Sequence, residues 1–275
     1  MDIGGLSHVG MVRTNNEDQF LVARFGRTMD LLSTSLPPGM VPLRSSVTGY
    51  ALLVADGMGG AAAGEVASST AVRAVVELAL ETPDWILLVD EEQTAEVLRR
   101  MNLRFLKARE TLQQRVQADP SLSGMGTTMT LALTLGRDVV VAHVGDSRAY
   151  LFRAGSLQQL TRDDTFTQFL VDSGEIGPEE AKRHRYRHVL TDVLGTGPEK
   201  IEIECLHVRL EEGDQLLLCT DGLTEMLPDE QIAKALARPG PAAQACRDLV
   251  DWALAAGGQD NVTVVLGRYP GAAPP

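Results

Sequence analysis

The 275-residue sequence has no run of 18 or more apolar residues, the length a helix needs to cross a bilayer. Its opening, "MDIGGLSHVGMVRTNNED", lacks the basic start and the apolar centre of a secretory leader. The expectation is a soluble, cytoplasmic protein with no membrane partner. Cysteine is scarce: Cys205, Cys219 and Cys246 are odd in number and far apart, so they make neither a disulfide framework nor a C-x-x-C metal site. They read as small core residues. Basic side chains are outnumbered 25 to 37, leaving a net charge of −12 that repels nucleic acid. One short cluster, "KRHRYRH" from Lys182 to His188, runs against that trend. Internal repeats and long linkers are also missing, so a single domain over residues 1–270 is expected, with 271–275 a short tail that frays.

The sequence does contain enough apolar residues, 44% of the chain, to bury a sizeable core. Gly64 to Leu80 reads as a helix. So does Thr94 to Ala118, where Leu98, Met101, Phe105, Leu112 and Val116 recur at three- and four-residue steps, and the two are expected to pair. From Gly126 the pattern changes to short runs rich in Val, Leu and Thr between Gly/Asp turns: "TTMTLALTL", "DVVVAHVG", "RAYLFR", "IEIECLHVRL", "DQLLLCT" and "NVTVVLGRY". Asp229 to Ala237 and Ala243 to Ala256 return to helical periodicity. Strands and helices come in blocks, which argues for an α+β fold with a mostly antiparallel sheet. Arg27 to Gly49 reads as a surface insertion between strands.

Four of these strands carry an aspartate at one end. "LLVA" stops at Asp56-Gly57, "VAHVG" at Asp146-Ser147 and "LLLCT" at Asp221-Gly222, and "VTVVL" is entered from Asp260-Asn261. Any one Asp-Gly after a strand is explained by a turn. Four carboxylates brought together would instead repel one another by several kcal/mol at intermediate dielectric, so a cation must neutralise them. All-oxygen donors without Cys or clustered His select Mg²⁺ or Mn²⁺ over zinc.

Gly59 and Gly64 have the G-x-x-x-x-G spacing of a phosphate-binding loop, but Glu65 and Val66 stand where that loop needs Lys and Ser/Thr. The better reading is that Gly57 lets its carbonyl approach an ion held by Asp56, while Gly59 and Gly60 permit a tight turn. Nearer the N-terminus, "RTNNEDQF" supplies Arg13, Glu17 and Asp18. Alone, these would be a solvated face.

In chain order, "GMVRTNNED", "VADGMGGAAAGEVAS", "GMGTTMTLAL", "VAHVGDSRAYLFR", "LTRDDTFTQFLVDSGEIGPEEA", "HVLTDVLG", "LLLCTDGLTEML" and "QDNVTVV" resemble the metal-dependent protein phosphatases, the protein phosphatase 2C-like family, in its bacterial form. The resemblance implies two packed antiparallel β-sheets flanked by helix pairs, with a metal centre at one edge of the sandwich. It implies that Asp56 bridges two Mn²⁺ or Mg²⁺ ions, Gly57 offers its carbonyl, and Asp221 and Asp260 complete the first shell. Glu17 and Asp18 are to hold metal-bound waters, and Arg13 is to clamp the substrate phosphate with its planar fork. Asp146 matches the position that joins Asp221 around a weaker third ion. The implied reaction is hydrolysis of phosphoserine and phosphothreonine in proteins by a metal-bridging water or hydroxide. The implied partners are phosphoproteins and a serine/threonine kinase sharing those targets.

Two departures from the family pattern stand out. Met58 occupies the position after Asp-Gly where many relatives outside bacteria have His, and Asp163-Asp164 replaces a frequent Asp-His in the 161–197 segment, which the pattern marks as a flap beside the metals. The sequence has no Cys-x5-Arg stretch for a phosphocysteine route. A silent relative would have lost a metal carboxylate, whereas Asp56, Asp146, Asp221 and Asp260 are all present. A two-metal nuclease fits the carboxylates but not the charge.

Overall fold

The computed structural model describes the chain except Met29, Pro38, 41–43, 60–62, 82–90, 196, 198–199 and 271–275, and omits the side chains of 27, 28, 44–47 and 91–93. Gly60 and the 271–275 tail therefore lie outside the described residues.

Twelve strands form two antiparallel sheets among the described residues. The first has the order β1 (Asp2–His8), β12 (Val262–Arg268), β11 (Gln215–Cys219), β7 (Arg148–Arg153), β8 (Ser156–Gln159). The second runs β10 (Glu204–Arg209), β6 (Asp138–Val144), β5 (Met129–Leu135), β3 (Arg44–Met58), and β2 (Asp18–Thr28) also pairs with β3. At the tip of β3 the short strands β4 (Gly126–Thr127) and β9 (Leu194–Gly195) continue the second sheet.

Side-chain alternation explains the layering, because successive residues of a strand face opposite sides. In β3, Leu53 and Ala55 join the core under α1 (Ala63–Glu81) and α2 (Glu91–Ala118), while Leu52 and Val54 point into the core between the sheets. In β11, Leu216 and Leu218 share that central core, and Leu217 and Cys219 pack on the other side. That side is covered by α5 (Asp221–Thr224), α6 (Asp229–Leu236) and α7 (Ala242–Ala255). The result is the expected sandwich of two sheets between helical layers. All three cysteines are free, and Cys219 and Cys246 are core residues as expected. Among the described residues, no helix is long and apolar enough to cross a membrane.

The surface insertion expected from Arg27 to Gly49 is narrower than the sequence suggested. β3 begins at Arg44, and Gly26 pairs with Thr48 and Thr28 with Arg44 across a register shift, so both flanks belong to a long hairpin. Polar residues such as Ser45, Ser46 and Thr48 hid the strand, because an edge ladder needs backbone hydrogen bonds more than an apolar side-chain pattern. The 161–197 segment carries α3 (Phe166–Asp172) and α4 (Pro178–Ala181). Its two limbs join where Thr165 bridges Leu190.

Candidate metal centre

The ends of β3, β6 and β11 and the entry to β12 meet at one edge of the sandwich. They open into a cavity of about 660 Å³ lined by Arg13, Glu17, Asp56, Gly57, Asp146, Asp221 and Asp260. Asp18, the remaining residue expected there, lies behind this wall, 3% exposed. It sits directly across the ladder from Asp56, an arrangement in which like charges repel.

Close backbone packing and buried hydroxyls fix the segments that carry Asp56, Glu17 and Asp146. Gly57 is required by close approach: a Cβ there would lie 2.1 Å from the carbonyl oxygen of Gly64, and one on Gly64 would lie 2.5 Å from Glu17 Oε2. The tip of β3 and the start of α1 thus touch backbone to backbone, with the Glu17 carboxylate against them. The Ser68 hydroxyl donates to the Glu17 carbonyl at 2.6 Å. Thr128 clasps Asp56 in both directions, its Oγ1 accepting the Asp56 N–H at 3.0 Å while its own N–H donates to the Asp56 carbonyl at 2.9 Å. Thr128 Oγ1 also lies 2.8 Å from Ser147 Oγ, beside Asp146. Asn261 fastens the N-terminal loop by donating to the carbonyls of Val9 and Asn15 and accepting the Glu17 N–H at 2.8 Å.

Sequence reasoning missed Thr128, Asn261, Thr220 and Thr263. The hydroxyls of Thr220 and Thr263 both donate to Asp18 Oδ2, at 2.8 and 2.6 Å, across 202 and 245 residues of chain. No local pattern could announce them. It also missed Glu225, Met226, His188 and Gln259, which line the same cavity.

The electrostatics are those of an unneutralised acidic cluster. Burial, then the charge of Asp18, hold the Asp56 carboxyl well above the ordinary carboxylate range. Burial and then Asp221 do the same to Asp146. Burial raises Asp18 to about 7, and burial followed by Asp260 raises Asp221 to about 6. Glu17 is raised by burial as well. Arg13 is exposed and bonds Asp260 Oδ2 at 2.6 Å rather than Glu17 at i+4. Asp260 holds the Arg13 guanidinium above its usual range.

The donor set fits hard divalent cations. Asp18 Oδ1 and Asp221 Oδ1 are buried without a hydrogen-bond partner, a costly state for a carboxylate oxygen. Among the described residues, no three His, Cys, Asp or Glu side chains close on one point as a ready-made cage. Such a cage is not needed by Mg²⁺-like ions, which keep several waters and bind through one or two carboxylates at a time.

The model of the family described as Protein phosphatase 2C matches residues 43–262. The chain belongs to the protein phosphatase 2C family. It is 42% identical over 215 residues to the serine/threonine protein phosphatase PstP of Mycobacterium tuberculosis, covering 78% of this chain and 39% of that protein. The chain thus matches about two fifths of the length of that relative. It is 34% identical over 269 residues to the protein phosphatase PhpP of Streptococcus pneumoniae, covering 97% of this chain and 96% of that one. Among solved structures, the catalytic domain of PstP in complex with two manganese ions superimposes with a TM-score of 0.74 at 35% identity, over 97% of both chains. Family membership accounts for the eight ordered motifs and for the two-sheet sandwich.

Proposed function

We propose that the chain is a Mn²⁺- or Mg²⁺-dependent protein serine/threonine phosphatase that hydrolyses phosphoserine and phosphothreonine, its catalytic domain spanning residues 1–270. The observation that carries this reading is the convergence of Asp56, Asp146, Asp221 and Asp260 from separate strand ends into one cavity, without enough cationic side chains to neutralise them. The manganese bound by the PstP catalytic domain supports the choice of ion.

In this reading Asp56, the Gly57 carbonyl, Asp221 and Asp260 hold two ions, and Asp146 with Asp221 holds a weaker third. Divalent ions bound there supply an acidified water as nucleophile and positive charge for the phosphoryl oxygens. Glu17 and Asp18 orient water, Asp18 fixed by its two threonine donors. Arg13 binds the phosphate through two parallel N–H donors, leaving Asp260 to do so. The exposed position of Arg13 suits a group that must reach substrate. The Met58 thioether has no ionisable proton, so it takes no part in protonating the leaving oxygen.

Phosphorylated proteins are the substrates, and a serine/threonine kinase acting on the same targets is the natural opposing partner, which places the protein in signal transduction. The acidic surface argues against nucleic acid as substrate. Three unpaired cysteines suit the reducing cytoplasm, where we place the reaction. The test is hydrolysis of p-nitrophenyl phosphate by the purified chain. Activity should require Mn²⁺ or Mg²⁺ and vanish in chelator, and full activity without metal would overturn the reading.

A further inference from the structure

Asp164 is a mostly covered carboxylate, 15% exposed, outside the lining of the metal cavity. Its main commitment is to the backbone of Gly145. Asp164 Oδ2 accepts the Gly145 N–H at 2.9 Å, and the Asp164 N–H donates to the Gly145 carbonyl at 2.7 Å. Arg162 stands 3.6 Å from the other carboxylate oxygen, too far for a hydrogen bond. Gly145 has φ +106°, and a Cβ there would lie 2.6 Å from the side chain of Thr128. Its peptide is therefore clasped between Thr128 on one side and Asp164 on the other, and the next residue is Asp146.

The same residue anchors the flap segment. The Asp164 carbonyl accepts the Thr191 N–H at 2.8 Å, Phe166 N–H donates to the Val189 carbonyl at 2.8 Å, and Thr165 pairs with Leu190. The outgoing limb, zipped to the incoming one by these bonds, presents His188 and Leu190 to the cavity. A short chain of hydrogen bonds therefore runs from the cavity's flap wall through Asp164 and Gly145 to the turn that presents Asp146.

The geometry points to Asp164 as a positioning residue that couples the flap wall to ion binding at Asp146, an inference that rests on the reading of Asp146 as an ion ligand. An ion drawn to Asp146 fixes the 145–147 turn, and the ring between Gly145 and Asp164 passes that order to the 187–191 limb. A phosphoprotein held against that limb tightens the ion in return, because coupling between two sites is reciprocal.

The test compares Asp164→Ala, which removes the acceptor, with Asp164→Asn, which keeps one in its amide oxygen. Mn²⁺ binding is measured by calorimetry, and hydrogen exchange of residues 161–195 is followed with and without Mn²⁺. In Asp164→Ala the weakest class of Mn²⁺ binding should fall by about fivefold or more, and the Mn²⁺-dependent protection of 187–191 should disappear. The tight class should stay within about twofold, and Asp164→Asn should restore both weak binding and protection. If the alanine variant does not fold, the unmodified chain decides: protection of 187–191 should rise with filling of the weak class and not of the tight class. Protection that follows the tight class, or an alanine variant with unchanged weak binding and protection, overturns the coupling alone. An unmodified chain that binds no Mn²⁺ overturns the coupling together with the reading beneath it.

Discussion

The floor and the flap wall of the cavity are built in different ways. The floor consists of strand ends fixed by buried hydroxyls at 2.6 to 3.0 Å: Thr128 on the Asp56 backbone, and Thr220 and Thr263 on the Asp18 carboxylate. The flap wall presents Leu190 together with Arg187 and His188, and these last two approach Glu225 no closer than 3.7 and 3.8 Å. Burial makes each floor contact energetically consequential, since a buried polar group left unpaired costs about 1–3 kcal/mol. An exposed ion pair such as Arg187–Glu225 contributes about 0–1 kcal/mol. The floor is suited to chemistry that tolerates no displacement, and the wall to selection among substrates that differ.

If this division is right, damage to the floor should dominate. Asp56→Asn and Asp221→Asn should each lower kcat/KM for p-nitrophenyl phosphate by about a thousandfold or more, since the ions supply both nucleophile and charge stabilisation. A loss of only a few-fold would show that the floor is not the reacting centre. Asp146→Ala should cost less, about tenfold in turnover, while two tightly bound Mn²⁺ per chain persist in calorimetry. Normal turnover would reduce Asp146 to a turn residue.

Arg13 lies between the two regimes, exposed like the wall but bonded to the floor. Arg13→Ala should raise KM for p-nitrophenyl phosphate by about tenfold while changing kcat less, as expected for loss of a charge-assisted contact present in both ground and transition states. An unchanged KM would mean that the arginine serves only to hold Asp260.

The floor also makes the metal-free protein sensitive to pH. Asp18 and Asp221 hold protons in the folded chain up to about 7 and 6, whereas unfolded carboxyls release them near 4. Folding therefore takes up protons, and stability from these groups grows as pH falls from about 7 towards 4. His143 opposes them. Burial lowers it to about 4, so its contribution is present above the unfolded value near 6.5 and lost as pH falls from there towards 4. Between pH 8 and 6.5 the carboxyls act alone, and Tm in chelator should rise by about 2–4 °C per kcal/mol gained. Asp164, raised by burial to about 7 outside the cavity lining, adds to the rise, so saturating Mn²⁺ should remove only the floor's share by replacing its protons. A chelated protein with flat Tm over this range would mean that burial and neighbouring charge do not hold these carboxyls above the unfolded range.

The floor was also the more legible part of the sequence. Four aspartates at strand ends are local signals, and the layering followed from alternation in runs such as "LLVA" and "LLLC". What stayed hidden depends on contacts distant in sequence. β1 carries Gly4 and Gly5, which disfavour a strand by themselves. They are there because a Cβ on Gly4 would lie 2.6 Å from the Ala243 backbone, and one on Gly5 would lie 2.7 Å from the ring of Phe20. α5 is a single turn, too short for any periodicity. Arg13 has an acidic residue at i+4, Glu17, yet pairs with Asp260, 247 residues away.

The smallest expected effect sharpens the reading of the wall. The basic cluster from Lys182 to His188 is one patch in sequence but two in space. Arg187 and His188 line the metal cavity, whereas Arg183 and Arg185 border a separate open hollow with Glu179 and Glu180. Arg185 also stacks on Tyr186, 4.4 Å from the ring centre. An acidic protein gains most from a cation placed beside the site where the phosphorylated chain must settle, because exposed charges farther apart than about 10 Å are screened by salt. Arg187→Ala should therefore lower kcat/KM for a phosphothreonine peptide by about three- to fivefold and for p-nitrophenyl phosphate by less, since the small substrate engages fewer contacts. The Arg183→Ala, Arg185→Ala double variant should remain within about twofold on both substrates. Equal losses on both substrates in Arg187→Ala would assign the wall to supporting the ions. A peptide-specific loss in the double variant would instead extend the substrate path across the outer hollow.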